Sequence, residues 1–334
     1  MKVTTAFDTY QRVVNAPEDK MIEARRRRDL FKDAFASETD TVSASGSLAR
    51  GTQHDPIKDV DTILVFDQDD FPDWGRSGSS AQDALDHVHN RVKTLLGTDG
   101  TFASGEVRLI KPRNHSVKCF LDDPDADAPF TVDAMPGIRQ DDGTLLIPES
   151  RNRQWVLTNP GLLIDEALAA HRAGGIYAPM VRVLKRWAKT RTSVKVRSLY
   201  MEVLALECLP KVGTRQAALS AFFTAAAVRV NEAVSDPAGL CGEIQPDIDA
   251  IALRDCLDEA ADVASDAVLH ESLNQDDVAV NKWRDIFGPD FPKGDSSGGG
   301  HGSGGGGVGV GVGGLGAVPP LDTPPRVPKD IHQG

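Results

Sequence analysis

The spacing of apolar positions changes character along this chain, and each change predicts an element. From 59 to 66 the sequence runs Asp-Val-Asp-Thr-Ile-Leu-Val-Phe. That pattern predicts a strand whose first acids share one face while Val60 points into a core. Between 81 and 96, Ala84, Leu85, Val88, Val92, Leu95 and Leu96 recur at helical spacing and predict an amphipathic helix. A single helix is expected over 5–38, with Phe31, Ala34 and Phe35 as its apolar stripe. Further strands are expected at 41–45, 106–110, 116–121 and 130–134, with a short edge strand at 144–147. The polar stretch 67–80, with Pro72, Gly75 and Gly78, reads as a loop.

From Asn159 onward the period is helical. Asn159-Pro160 is a capping residue followed by proline at the first helical position. Helices are expected over 160–173, 177–190, 197–209, 214–235, 250–272 and 276–287. The fold class is therefore an α/β lobe followed by an α-helical lobe, with the functional cleft between them. The boundaries are 1–158 for the first lobe with its N-terminal helix and 159–293 for the second. At Gly294 the composition breaks: nearly half of the 31 glycines lie beyond it, with prolines and no periodic apolar face. Residues 294–334 read as a disordered Gly/Pro-rich tail.

Charge narrows the function. The 334 residues carry 49 acids against 37 Lys and Arg, a net −12. Tight sequence-independent binding of DNA or RNA needs a basic footprint and is disfavoured, whereas a nucleotide substrate needs only a local pocket and a metal. The basic run Arg25–Arg28 reads as a solvated helix face. The four cysteines are far apart, with no Cys-x-x-Cys, and read as buried free thiols in a reducing compartment. No signal peptide is seen, and the longest largely apolar run, 217–228, is too short to span a bilayer. The expected location is the cytoplasm.

The chemistry concentrates at Gly46-Ser47 and the acids that follow. Asp59 and Asp61 project together and repel unless a cation lies between them. Mg²⁺ suits them, as a hard ion taking one or two carboxylates plus phosphate oxygens. The Gly46-Ser47 turn offers backbone N–H groups and a hydroxyl to phosphate. Asp133, within Phe-Thr-Val-Asp-Ala-Met-Pro, offers the third carboxylate of a two-metal phosphoryl-transfer site.

A Gly-Ser turn, an Asp-x-Asp strand and a later strand with a lone Asp resemble the signature of the polymerase-β-like nucleotidyltransferase superfamily. The segments 179–187 and 196–204 resemble the helical lobe of the bacterial relatives of cyclic GMP-AMP synthase and oligoadenylate synthase, the CD-NTase family. The resemblance covers roughly 10–290. It implies a cyclic-oligonucleotide synthase that releases pyrophosphate from nucleoside triphosphates such as ATP or GTP, uses two Mg²⁺, and serves anti-phage signalling through a downstream effector. It implies that Lys185 and Ser198 hold the triphosphate from the far side of the cleft. In some relatives an aromatic directly follows that serine and stacks on a base; here Leu199 follows and Tyr200 comes one later, which turns it by about 100°. In one branch of the family the C-terminal glycine is captured by a ubiquitin-ligase-like partner, a logic that Gly334 fits. Two alternatives stand beside this reading: a linear oligonucleotide synthase or other nucleotidyltransferase acting on RNA or protein, and a non-catalytic relative that only binds nucleotides or a partner.

Overall fold

A computed structural model of the chain describes residues 1–102 and 105–295. It opens with α1 (Val3–Val14) and α2 (Glu18–Ala34). The one helix expected over 5–38 is two, because Pro17 lacks an N–H and disfavours helical geometry at Ala16. Asn15, at the C-terminus of α1, is already extended, with φ −69° and ψ 137°. The break sends the two helices into different cores. Val3, Phe7 and Tyr10 of α1 pack in the helical lobe, while Phe31 and Ala34 of α2 pack under the sheet. The N-terminal helix expected within the first lobe is thus divided, and α1 belongs to the core of the second.

The α/β lobe continues with β1 (Thr39–Ala44), α3 (Gly46–Ala49), β2 (Asp59–Phe66), α4 (Ser80–Leu96), β3 (Leu109–Pro112), β4 (Val117–Phe120), β5 (Thr131–Arg139), β6 (Leu145–Glu149) and β7 (Gln154–Thr158). They form one mixed sheet in the order β1-β2-β5-β4-β3, with β6 paired to β5 and β7 to β6. Strand β7 had no sequence expectation, being short and polar at its start. The two central strands, β2 and β5, run parallel, with Asp61 beside Asp133 and Asp59 beside Thr131.

Alternation along these strands decides which face carries chemistry. Val60, Leu64 and Phe66 of β2 and Val132, Ala134 and Ile138 of β5 join the core formed with α2 and α4. The opposite face holds Ile63, Val65 and Met135 in a small apolar cluster. Asp59, Asp61 and Asp133 continue those positions by twos toward the starts of the strands, so they stand on the face away from α2 and α4. The Arg25–Arg28 run is an outer helix face, as expected, and is largely neutralised: Arg26 pairs with Glu23 and Glu106, Arg27 with Glu23 and Asp122, and Arg28 with Asp29.

The helical lobe comprises α5 (Pro160–Gly174), α6 (Tyr177–Thr190), α7 (Ser198–Cys208), α8 (Arg215–Arg229), α9 (Ala250–Ser272) and α10 (Asp276–Phe287). Asn159, Thr214 and Asp249 cap the helices after them, each side-chain oxygen accepting from a backbone N–H three residues on. The core is aromatic where α1 meets α10, with ring centroids of Phe7 and Trp283 5.1 Å apart and those of Tyr10 and Phe287 5.3 Å apart. Gly294 and Asp295 still bond to α10, through Asn281 and Asp277. The rest of the expected tail, Gly334 included, lies outside the described residues. Among those residues no helix is long and apolar enough to cross a membrane. The cysteines are all free, but of the four only Cys119 is fully buried and Cys241 is exposed.

Candidate active site

The turn between β1 and β2 is built around one close approach. Gly46 has φ +67°, a left-handed conformation that glycine adopts without strain. A Cβ there would fall on the carboxylate of Asp61. The chain therefore uses the missing side chain to lay the turn directly on the acid. Ser47 follows, its hydroxyl donating to the side-chain carbonyl of Gln53. Helix α3 is a single turn of four residues, so the phosphate-binding potential here lies in the turn's N–H groups and the Ser47 hydroxyl rather than in a helix dipole.

The acids behave as a strained cluster. Burial, then the charges of Asp59 and Asp133, push Asp61 up to about 6, against the opposing pull of Arg50 and Lys118. Asp133 is also raised, by burial above all, although Lys118 opposes it. The Lys118 ammonium stands 3.3 Å from Oδ2 of Asp133, while Oδ1 is buried with no hydrogen-bond partner. The register places Lys118 directly across from Asp133 on β4. Among the described residues no group of three His, Cys, Asp or Glu side chains converges into a metal cage. The donor set nevertheless suits Mg²⁺, which takes a few carboxylates and completes its shell with waters and substrate phosphates. The unpartnered Asp133 oxygen and the reluctant ionisation of Asp61 are both features that a cation relieves.

A cavity of about 360 Å³ opens beside these acids. Gly46, Ser47, Asp59 and Asp61 line it from the α/β lobe, and Ser198, Leu199 and Glu202 from α7. Five of the residues singled out from sequence thus share one space, and Asp133 adjoins it across the sheet. Leu199 is on the wall, 39% exposed, while Tyr200 is buried in the helical core. An aliphatic surface therefore stands where an aromatic would stack, as the one-residue shift implied.

Lys185 is placed differently from the sequence expectation. It is 4% exposed and is not part of the cavity wall. Its ammonium donates to Oε1 of Glu202 at 2.7 Å and to the carbonyl of Thr52 at 3.2 Å. A lysine on an amphipathic helix reads as a solvent-facing point charge, but α6 turns this position toward a buried carboxylate. Glu202 also accepts from Arg50 Nε at 2.6 Å and from the Thr52 hydroxyl at 2.8 Å. Burial alone would raise the Glu202 carboxyl; the Arg50 and Lys185 charges hold it below its usual range.

Arg50 and Glu202 were not singled out in the sequence. Signals for both existed: Arg50 lies between Gly46 and Thr52, and Glu202 falls four residues after Ser198, on the same helix face. Asp236 and Cys241, also on the wall, come from an irregular loop and carry no local signal.

Comparison with known proteins agrees with this architecture. Residues 1–168 match the family model described as Second Messenger Oligonucleotide or Dinucleotide Synthetase domain. A probable cyclic nucleotide synthase of Bacillus cereus is 22% identical over 281 residues, covering 74% of this chain and 81% of its own. Among solved structures, CdnC of Escherichia coli MS115-1, in a complex with HORMA-deltaN, superposes with a TM-score of 0.65 at 18% identity, covering 87% of this chain and 98% of its own. The Bradyrhizobium diazoefficiens CD-NTase CdnG, in complex with GTP, gives 0.61 at 12% identity, with 85% and 98% covered. Vibrio cholerae DncV in its GTP-bound form gives 0.55 at 16%, with 78% and 71% covered. The chain belongs to the family of second messenger oligonucleotide or dinucleotide synthetases and carries the CD-NTase fold.

Proposed function

We propose that this synthetase joins nucleoside triphosphates into a cyclic oligonucleotide, with Asp59, Asp61 and Asp133 holding two Mg²⁺ ions and Gly46, Ser47 and Ser198 holding the triphosphate. The observation that carries the reading is the shared face: three carboxylates on two adjacent parallel strands, beside a cavity entered by the Gly46-Ser47 turn. In each step an acceptor ribose hydroxyl adds to the α-phosphorus of a triphosphate. The bond from that phosphorus to the bridging oxygen breaks, and pyrophosphate leaves with the electron pair. When bound, the ions neutralise charge on the attacking and leaving oxygens. Asp133 would take the hydroxyl proton. Ser47 exchanges Gln53 for a phosphate oxygen, and Ser198 meets the same phosphates from the first turn of α7. Lys185 contributes from behind Glu202.

The test is incubation with all four triphosphates and Mg²⁺, read by mass spectrometry. Cyclic product with stoichiometric pyrophosphate is expected. A linear product moves the chain to the alternative synthase class, and absence of pyrophosphate removes the enzymatic reading.

The setting follows the resemblance: a cytoplasmic enzyme in anti-phage signalling, whose product activates an effector. Gly334 is proposed as a handle for a ubiquitin-transfer-like partner, on the grounds of the glycine-rich composition before it. Replacing Gly334 by a bulky residue should block conjugation in host cells and leave purified activity unchanged. A conjugate that persists with the substitution overturns that part.

A further inference from the structure

We propose that Lys118 competes with the metal for Asp133, so that an ion enters only as the Lys118 ammonium gives up that carboxylate. This rests on reading Asp59, Asp61 and Asp133 as metal ligands. Strand register puts Asp61, Asp133, Lys118 and Lys111 in one row across β2, β5, β4 and β3, and residues opposed on neighbouring strands share a face. The pair of Lys118 with Asp133 is the one ion pair that any of the three acids makes among the described residues. The ammonium stands 3.3 Å from Oδ2 of Asp133 and donates to the Thr131 hydroxyl, also at 3.3 Å. Thr131 in turn lies beside Asp59 in the parallel register. Lys118 thus leans over the very strand that carries the third acid.

The pair has the geometry of one that exchanges. Lys185 meets Glu202 at 2.7 Å with 3% of its side chain exposed, which is a settled structural contact. Lys118 reaches Asp133 only at 3.3 Å, longer than the usual charge-assisted contact of about 2.7–2.9 Å. Its side chain is 18% exposed and that of Asp133 20%, so the ammonium has a way out to water on its flexible stem. Oδ1 of Asp133 is buried with no hydrogen-bond partner, so Lys118 satisfies only half of the carboxylate. Lys111, the next ammonium in the row, lies over the Phe120 ring, 5.1 Å from its centroid, and its like charge keeps Lys118 turned toward the acids. A free divalent ion must therefore displace one positive charge in the face of another. An ion that arrives with a triphosphate brings negative charge that offsets this repulsion. Lys118 is then a positioning residue that favours loading of ion and substrate together over loading of the ion alone.

The experiment measures Mn²⁺ binding by electron paramagnetic resonance, which counts the free ion. It compares the unaltered chain with Lys118→Gln, Lys118→Arg, Asp133→Asn and the double variant of Lys118→Gln with Asp133→Asn. Each is read alone and with an ATP analogue carrying a methylene between the α- and β-phosphates. Glutamine keeps a donor for Asp133 and Thr131 and loses the charge. Lys118→Gln should tighten Mn²⁺ alone by about ten- to a hundredfold, the scale of removing one like charge a few ångström from the ion, and by no more than about threefold with the analogue present. Lys118→Arg, which keeps the charge, should bind Mn²⁺ no more tightly than the unaltered chain. In the Asp133→Asn background the gain from Lys118→Gln should vanish. A lysine that only supports the fold would leave the affinity unchanged or lower it. Unchanged or weaker Mn²⁺ binding by Lys118→Gln overturns the proposal, as does a gain that survives Asp133→Asn. Tighter binding by Lys118→Arg overturns it too, and that arm decides even where the glutamine variant does not fold. An unaltered chain that binds no Mn²⁺, with or without the analogue, defeats the metal site itself; one whose affinity is indifferent to Lys118 defeats this inference alone.

Discussion

A Cβ built on Gly46 would lie 1.9 Å from Oδ2 of Asp61. The turn and the acid thus occupy complementary space, and neither keeps its place if the other grows. Gly46→Ala adds that clash to a strained positive φ. Pyrophosphate release should fall by at least about a hundredfold, the scale of a 1 Å misplacement at a reacting centre. A steady-state assay showing near-normal turnover would mean that the turn is free to move away from Asp61 without cost.

Asp61→Asn trades function for stability. Replacing the buried member of three mutually repelling carboxylates should remove pyrophosphate release while raising the metal-free melting temperature by about 2–4 °C, equivalent to roughly 1 kcal/mol. Scanning calorimetry in the presence of a chelator checks it. A variant that is both less stable and still active contradicts the role given to Asp61.

The raised Asp61 carboxyl gives metal binding a pH dependence of fixed sign. The metal-free folded chain holds this proton up to about pH 6, and a cation must displace it. Mg²⁺ affinity should therefore rise by about tenfold per pH unit below 6, for one proton released, and level off above it. Titration calorimetry at pH 5, 6 and 7 in buffers of different ionisation enthalpy reads both the affinity and the released proton. Affinity that is flat across this range removes Asp61 from the metal site.

Lys185→Ala should unfold before it merely weakens binding. It leaves Glu202 buried with Arg50 as its one cation and strips the Thr52 carbonyl of a donor. Glu202 keeps Arg50 as its counter-ion, so the change removes one charge-assisted hydrogen bond and one donor to a buried carbonyl, about 1–3 kcal/mol each. The melting temperature should drop by well over about 5 °C for a unit of this size. A surface lysine reaching into the cleft would instead leave the melting temperature unchanged and raise KM alone.

The proposed catalytic face was legible because strand alternation is a local property. Asp59, Asp61 and the even-numbered apolar residues of β2 fix that strand's orientation with no knowledge of its neighbours. Gly46 was legible for the same reason, since a turn residue beside an acid pair has few other uses. The environment of Lys185 was not legible, because its carboxylate partner comes from the next helix and the carbonyl it also binds lies more than a hundred residues earlier in the chain. The split at Pro17 was written in the local sequence. The destination of α1 was not: its apolar face fits any core, and only the α10 aromatics select one.

That selection has a consequence for synthesis on the ribosome. Phe7 meets Trp283, Phe287 and Phe291, all near the opposite end of the folded unit. Helix α1 is made well before α10 and must wait, apolar face uncovered, until α10 and Phe291 leave the exit tunnel. Contacts of such sequence separation form slowly, and chains that stall before Phe291 leave α1 exposed as a sticky amphipathic segment. Nascent chains should thus depend on chaperone cover until α10 has emerged, and a message truncated before α10 should yield aggregate rather than a stable folded fragment.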